Sequence, residues 1–181
     1  MKKFSLCLLV GVLLLATAPV SASDMGLKRL GGKVGIVFPK DLDMGFMLGA
    51  AADMGEITDN LKLVPLISYW NAGKSEGGYD FSLSNFQIGA DVQYYLKDVK
   101  GLYFGGGLSI NFASASVDVP PEIAAFVPET SSSSTDIGID FLGGYEMPLG
   151  KTTTGFAQLK YNLISDLNTF EINLGVWFDM N

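Results

Sequence analysis

The chain has 181 residues, 12 of them basic and 19 acidic, for a formal charge of −7. It holds no histidine and a single cysteine, Cys7, which disfavours His-dependent triads, most zinc sites and a disulfide framework. An acidic chain of this kind offers no basic face for nucleic acid.

The N-terminus reads as an export signal. Met1-Lys2-Lys3 is a positive start, Phe4 to Ala16 is apolar apart from Ser5 and Gly11, and Ala18-Pro19-Val20-Ser21-Ala22 supplies small residues for cleavage after Ala22. The apolar run is shorter than the roughly 20 residues of a membrane-spanning helix. Residues 1–22 are therefore expected to be a cleaved signal peptide and 23–181 the mature domain. Cleavage removes Cys7, Lys2 and Lys3, so the mature part has no thiol and is more acidic still. Mean hydropathy is +0.30 and 48% of residues are hydrophobic, yet no later apolar run reaches helix-spanning length. Such a chain has either a large apolar core or an apolar outside.

Periodicity predicts eight strands. The first two are Leu30 to Phe38, with Lys33 on the polar face, and Gly45 to Met54, with Phe46, Leu48, Ala50, Ala52 and Met54 opposite Asp53. The third, Leu61 to Trp70, is apolar on both faces and carries Pro65, which lacks a ladder donor and predicts a bulge or weak point. The fourth, Asn85 to Leu96, alternates Phe86, Ile88, Ala90, Val92 and Tyr94 with Asn85, Gln87, Asp91, Gln93 and Tyr95. The fifth and sixth, Leu102 to Ser114 and Asp136 to Met147, alternate as strictly, with Leu108, Ile110, Phe112, Ile137, Ile139 and Phe141 on the apolar side. Thr154 to Leu163 and Thr169 to Met180 complete the set. Period 2 identifies strands with one apolar and one polar face.

Length and connections select the architecture. These strands exceed the mean of about 5–6 residues in soluble proteins and match the length that crosses a bilayer at a tilt. Short links (Gly55 to Asn60, Lys97 to Lys100, Pro148 to Lys151) alternate with mostly longer ones (Asn71 to Asp80, Ala115 to Thr135, Ile164 to Asn168), the pattern of short periplasmic turns and longer outside loops. The polar face is rich in Gly, Ser, Asn and Gln, and only 17% of residues are charged, which suits a narrow lumen better than a soluble exterior. The expected fold is all-β: an eight-stranded antiparallel up-and-down transmembrane β-barrel, apolar outside with a polar lumen. Tyr94, Phe112, Tyr145, Phe170 and Phe178 would form its interfacial girdles. A soluble barrel with the faces reversed is the structural alternative.

The mature chain resembles the small outer-membrane β-barrel family, the porin-family barrel domain related to outer-membrane proteins W and X. The resemblance is carried by Gly32-Lys33-Val34-Gly35-Ile36-Val37-Phe38-Pro39, by Leu48-Gly49-Ala50-Ala51-Ala52-Asp53, and by Thr58-Asp59-Asn60-Leu61 running to Ser68-Tyr69-Trp70. It implies the outer membrane of a Gram-negative bacterium, lipid around the barrel, and a W-type passage for small apolar solutes as one candidate role. The last strand resembles the signal read by the barrel-assembly machinery, with Asn173, Gly175, Phe178 and Met180 at its polar, glycine and apolar positions. It departs from that pattern in ending Asp179-Met180-Asn181. Periplasmic chaperones are the other expected assembly partners, and a monomer is expected.

The candidate site is the polar face of the strands. Lys33, Asp53, Asp91, Asp136, Asp140, Glu146, Lys160 and Glu171 would gather in the lumen, as a hydrogen-bonded plug or as the lining of a cation-favouring path. Asp136 and Asp140 share a face but sit about 13 Å apart along the strand, too far for a carboxylate pair. No catalytic residue, cofactor or metal is expected. In the Ala115–Thr135 loop, Ile123, Phe126 and Val127 make a candidate apolar contact patch for a solute or surface partner. Asn71 to Asp80 and Ser131 to Ser134 read as flexible polar connections. Three roles stay open: a plugged structural or surface-interaction barrel, an apolar-solute passage, and a soluble periplasmic ligand-binding barrel.

Overall fold

The computed structural model describes residues 24–76, 79–118, 130–165 and 167–180. The expected signal peptide and the Ile123, Phe126 and Val127 patch lie outside the described residues. Eight strands follow in chain order: β1 (Asp24–Pro39), β2 (Gly45–Thr58), β3 (Leu61–Glu76), β4 (Tyr79–Tyr95), β5 (Leu102–Asp118), β6 (Thr130–Pro148), β7 (Thr153–Ile164) and β8 (Thr169–Asp179). Each pairs antiparallel with the next, and β1 pairs with β8 from Arg29↔Asp179 to Pro39↔Thr169, which closes the barrel. Closure leaves every mid-wall strand with two neighbours, so the wall can face lipid without orphaned backbone groups.

The two faces fall where the alternation puts them. Phe86, Ile88, Phe104, Leu108, Ile110, Ile139, Phe141, Leu159, Ile172 and Leu174 point outward and are exposed. Phe46 is 73% and Val34 64% accessible, values a water-soluble exterior would not show for a continuous belt. Aromatic pairs mark the edges of this belt: Phe38–Phe170 and Phe86–Phe112 toward the loops, Tyr94–Phe104 toward the turns. The soluble alternative, with its apolar face inside, does not fit this wall.

The turn end is built tightly. Asp59-Asn60 links β2 to β3 with Asn60 at φ 62°, and Gly101 takes φ 88° before β5. A Cβ on Gly101 would run into the Glu146 carbonyl oxygen, so glycine is required there on two counts. The expected irregularity at Pro65 is present on one side only. Pairing of β2 with β3 loses register between Ala51↔Leu66 and Glu56↔Lys62, whereas β3 pairs with β4 without a break through Pro65↔Ala90.

Two expectations need correction. The described residues of Asn71 to Asp80 are strand and not loop: β3 runs to Glu76 and β4 begins at Tyr79, paired from Asn71↔Ser84 to Glu76↔Tyr79. Ser131 to Ser134 is not a flexible return either, since it pairs with β5 from Ser131↔Ser116 to Ser134↔Ala113. Serine and glycine lower strand propensity, but here long ladders with β4 and β5 outweigh it. The β6–β7 ladder ends at Gly138↔Ile164 and the β2–β3 ladder at Phe46↔Asn71. The upper parts of β3 to β6 therefore project beyond the rest of the wall as a four-stranded sheet.

Candidate functional site in the barrel lumen

The lumen is filled in layers. At its centre Lys160 of β7, 1% accessible, places Nζ 3.1 Å from Asp91 Oδ1 on β4 and 2.9 Å from Asp140 Oδ2 on β6. Glu171 on β8 sits opposite Lys160 in register and accepts a hydrogen bond from Asn173 Nδ2 at 3.0 Å. Lys33 on β1 is buried in the same layer, its stem passing Gly49 at a distance a Cβ would crowd. Two lysines and three carboxylates thus share a space closed to solvent, where opposite charges must be paired to be tolerated. Neutral groups surround them. Ser68 donates to Gln87, Asn85 to Asn111, Asn111 to Ser109, and Gln158 to the Tyr103 hydroxyl.

Small residues make the room. A Cβ on Gly138 would collide with side-chain atoms of Asn162, Asn111 and Ser109, so three polar side chains converge on that bare stretch of wall. Gly107 does the same for Asp91, and Gly35 for Asn173. The glycines of the polar face are the sockets into which neighbouring strands insert amides and carboxylates.

An apolar layer closes each end of this polar section. Toward the loops, Val37, Met47, Trp70 and Ala72 are buried together, and Leu42 and Leu167 from two loops pack on them with Leu83. A backbone bond from Lys40 N to Asn168 O ties those loops. Toward the turns, Val64, Phe156 and Trp177 form the second layer with Ala51. The third strand, apolar on both faces, thus supplies a residue to each layer: Val64 below and Trp70 above.

Beyond the lower layer lies a charged latch. Arg29 donates from Nη1 and Nη2 to Glu146 Oε2 and Oε1 at 2.9 and 3.1 Å, and from Nε to Asp53 Oδ2 at 2.8 Å. Its guanidinium lies 5.0 Å from the Trp177 ring centre. Tyr95 donates its hydroxyl proton to Glu146 at 2.7 Å, and Lys62 pairs with Asp53 at 3.2 Å. Asp53 also caps the β2 irregularity by accepting the Gly55 N–H at 2.9 Å. An open depression of about 410 Å³, lined by Lys62, Tyr95, Lys100 and Glu146, ends on this network.

The expected site residues therefore divide. Lys33, Asp91, Asp140, Lys160 and Glu171 meet in the central layer, and Asp53 and Glu146 meet in the latch. Asp136 stays apart: it is half-exposed and in register with Asn111. Sequence reasoning misses Arg29 and Lys62, because the alternation of the first strand begins only at Leu30 and Lys62 sits on the strand without a clear polar face. Of the assembly-signal positions, Asn173 is buried in the lumen, whereas Phe178 and Met180 face outward near the turn end. Among the described residues no group of three or more Asp, Glu, His or Cys is placed to hold a metal.

A closed eight-stranded barrel with an apolar belt outside and a polar, side-chain-filled inside is a transmembrane barrel of the outer-membrane type. Residues 5–178 match the profile of the outer membrane protein beta-barrel domain, and the chain belongs to that family. No curated protein matches the sequence. Solved structures share the fold at low identity. Neisserial surface protein A is 16% identical with a TM-score of 0.55, covering 84% of this chain and 97% of its own. The attachment invasion locus protein Ail of Yersinia pestis, solved with the heparin analogue sucrose octasulfate, is 13% identical with a TM-score of 0.56, covering 85% and 99%. A major outer membrane protein of Thermus thermophilus is 12% identical with a TM-score of 0.62, covering 84% and 99%.

Proposed function

We propose that this outer-membrane barrel has a non-enzymatic structural and surface-interaction role, with its lumen largely plugged. One observation carries the reading: Lys160, held by Asp91 and Asp140, lies in a solvent-inaccessible polar layer between two buried apolar layers. A conducting path would need water along the axis, but eight strands leave an interior that side chains can fill. The barrel presents its sheet extension and loops outward, as a surface-interaction role requires. The same reading has a signal peptide exporting a monomer to a Gram-negative outer membrane. Periplasmic chaperones would then escort it, and the barrel-assembly machinery would read Asn173, Gly175, Phe178 and Met180.

Liposome swelling tests the role. Protein reconstituted at known density should admit no small sugar or amino acid faster than protein-free vesicles. Size-dependent swelling would overturn the plugged reading. A second reading, passage of small apolar solutes, is favoured by the upper layer, where Leu42 and Leu167 bring two loops onto Trp70 and Met47. Saturable uptake of an apolar solute that is lost on Trp70→Asp would favour it.

A further inference from the structure

The turn end of the barrel carries a concave site that the plugged lumen does not use. Outside the Arg29–Glu146 latch lies the open depression of about 410 Å³, with Lys62, Lys100, Tyr95, Glu146 and Thr154 on its walls. Two of these side chains are held in place. The Lys62 ammonium stands 4.8 Å from the Tyr95 ring centre and 3.2 Å from Asp53 Oδ2, and the Tyr95 hydroxyl donates to Glu146 at 2.7 Å. The turn that bears Lys100 is held as well. The Gly101 carbonyl accepts from Glu146 N at 2.8 Å, and Leu102 N donates to the Val99 carbonyl at 3.1 Å.

The carboxylates beside the depression are already engaged. Asp53 accepts from Arg29, Lys62 and the Gly55 N–H, and Glu146 accepts from Arg29 and Tyr95. The cations are not. The Lys100 ammonium is exposed and has no partner among the described residues, and the Lys62 side chain stays 22% accessible beside Asp53. Latch and rim together set three cations, Arg29, Lys62 and Lys100, against two carboxylates, Asp53 and Glu146. One positive charge is in surplus there, on a chain of formal charge −7. Asp98, in the same turn as Lys100, does not line the depression.

We propose that this depression binds a phosphate group, carried by a small soluble phosphate ester or by a phospholipid headgroup. The local charge selects an anion, and the kind of cation selects among anions. A planar guanidinium suits a carboxylate gripped at both oxygens, and Arg29 is committed in that way to Glu146. Lysine ammoniums serve a tetrahedral phosphate as point charges. Thr154 adds a hydroxyl donor, and the volume falls in the range of small-molecule sites. Tyr145, an exposed residue of the outward face, lines the same depression, so the site adjoins the membrane edge as well as the barrel mouth. Short turns face the periplasm in barrels of this type, so the compartment that supplies the ligand rests on the outer-membrane reading. Binding itself is independent of whether the lumen conducts.

The test uses the mature protein in maltoside micelles and phosphate-free buffer, titrated with glycerol phosphate and followed by amide chemical shifts. Heat-modifiable gel migration establishes first that parent and variant are folded barrels, so a failure of the membrane reading is seen separately. Saturable shifts are expected at Lys62, Tyr95, Lys100, Gly101 and Thr154. Lys100→Gln, which leaves every latch contact intact, should weaken binding about five- to tenfold. A second arm places the protein in phosphatidylglycerol nanodiscs with no ester added. The same shifts there assign the phosphate to lipid; their absence there, with saturation by the ester in micelles, assigns it to a soluble ester. Shifts in neither arm, shifts that Lys100→Gln leaves unchanged, or equal shifts from sodium chloride at matched ionic strength would each overturn the proposal.

Discussion

Arg29 on β1 and Glu146 on β6 belong to strands that do not pair, yet guanidinium and carboxylate meet in a two-pronged contact at 2.9 and 3.1 Å. The pair pins one wall of the barrel to another just below the Trp177 layer. Asp53 and Tyr95 hold its two ends in place. A bidentate guanidinium fixes direction as well as distance.

Removing one partner of such a pair strands the other's charge. Arg29→Gln is expected to destabilise the barrel by about 3 kcal/mol, read as a lower urea midpoint for unfolding from micelles. Arg29→Gln with Glu146→Gln should recover part of the loss, because the orphaned carboxylate is gone. A double variant no better than the single one would show that the cross-lumen pair is not what Arg29 contributes.

The central lysine should be more sensitive still. Lys160→Met leaves Asp91 and Asp140 without the cation they share, with Lys33 alone in the layer, and an expected loss of about 3–5 kcal/mol follows. Adding Asp91→Asn and Asp140→Asn should restore folding yield in detergent. Refolding yields measured by gel migration check both steps. An unimpaired single variant would mean that water reaches the layer.

Two glycines separate sockets from plain wall. Gly101→Ala faces both a positive φ and a backbone oxygen, so a marked drop in refolding yield is expected. Gly143→Ala has nothing nearer than the Tyr103 carbonyl oxygen at 3.8 Å and should fold as the parent does. Comparable behaviour of the two would contradict the close approach of the β4–β5 turn to the Glu146 backbone.

The lipid face should penalise charge by depth. Leu108 lies between the Phe104 and Phe112 rows, so Leu108→Arg is expected to cost about 2–4 kcal/mol. Ser114→Arg, beyond the aromatic row, should cost under about 1 kcal/mol on the same scale. Folding titrations into lipid vesicles measure both. Equal penalties would misplace the upper edge of the hydrocarbon.

Much of this architecture is legible in the sequence, for a physical reason. Alternation at Phe86 to Leu96 or Leu102 to Phe112 is forced when one face meets lipid and the other a narrow lumen, and nothing in a loop imitates it. The projecting sheet is not legible, because outside the bilayer the lipid constraint ends and Ser131 to Ser134 alternates nothing. The lumen is legible only as a set of charged positions. Which of them meet depends on stagger between strands, so that Asp91 reaches Lys160 while Asp136 reaches neither. Arg29 is hidden for a related reason: it stands beside a stretch where β1 and β2 lose register between Met25 and Arg29, and period 2 fails there.

Single-channel recording in planar bilayers tests the plugged lumen most directly. With insertion verified by heat-modifiable migration, the wild-type barrel should give a flat baseline. Reproducible unit steps at moderate voltage would contradict it, since no stack of Trp177, Lys160 and Trp70 layers could stand across a conducting axis.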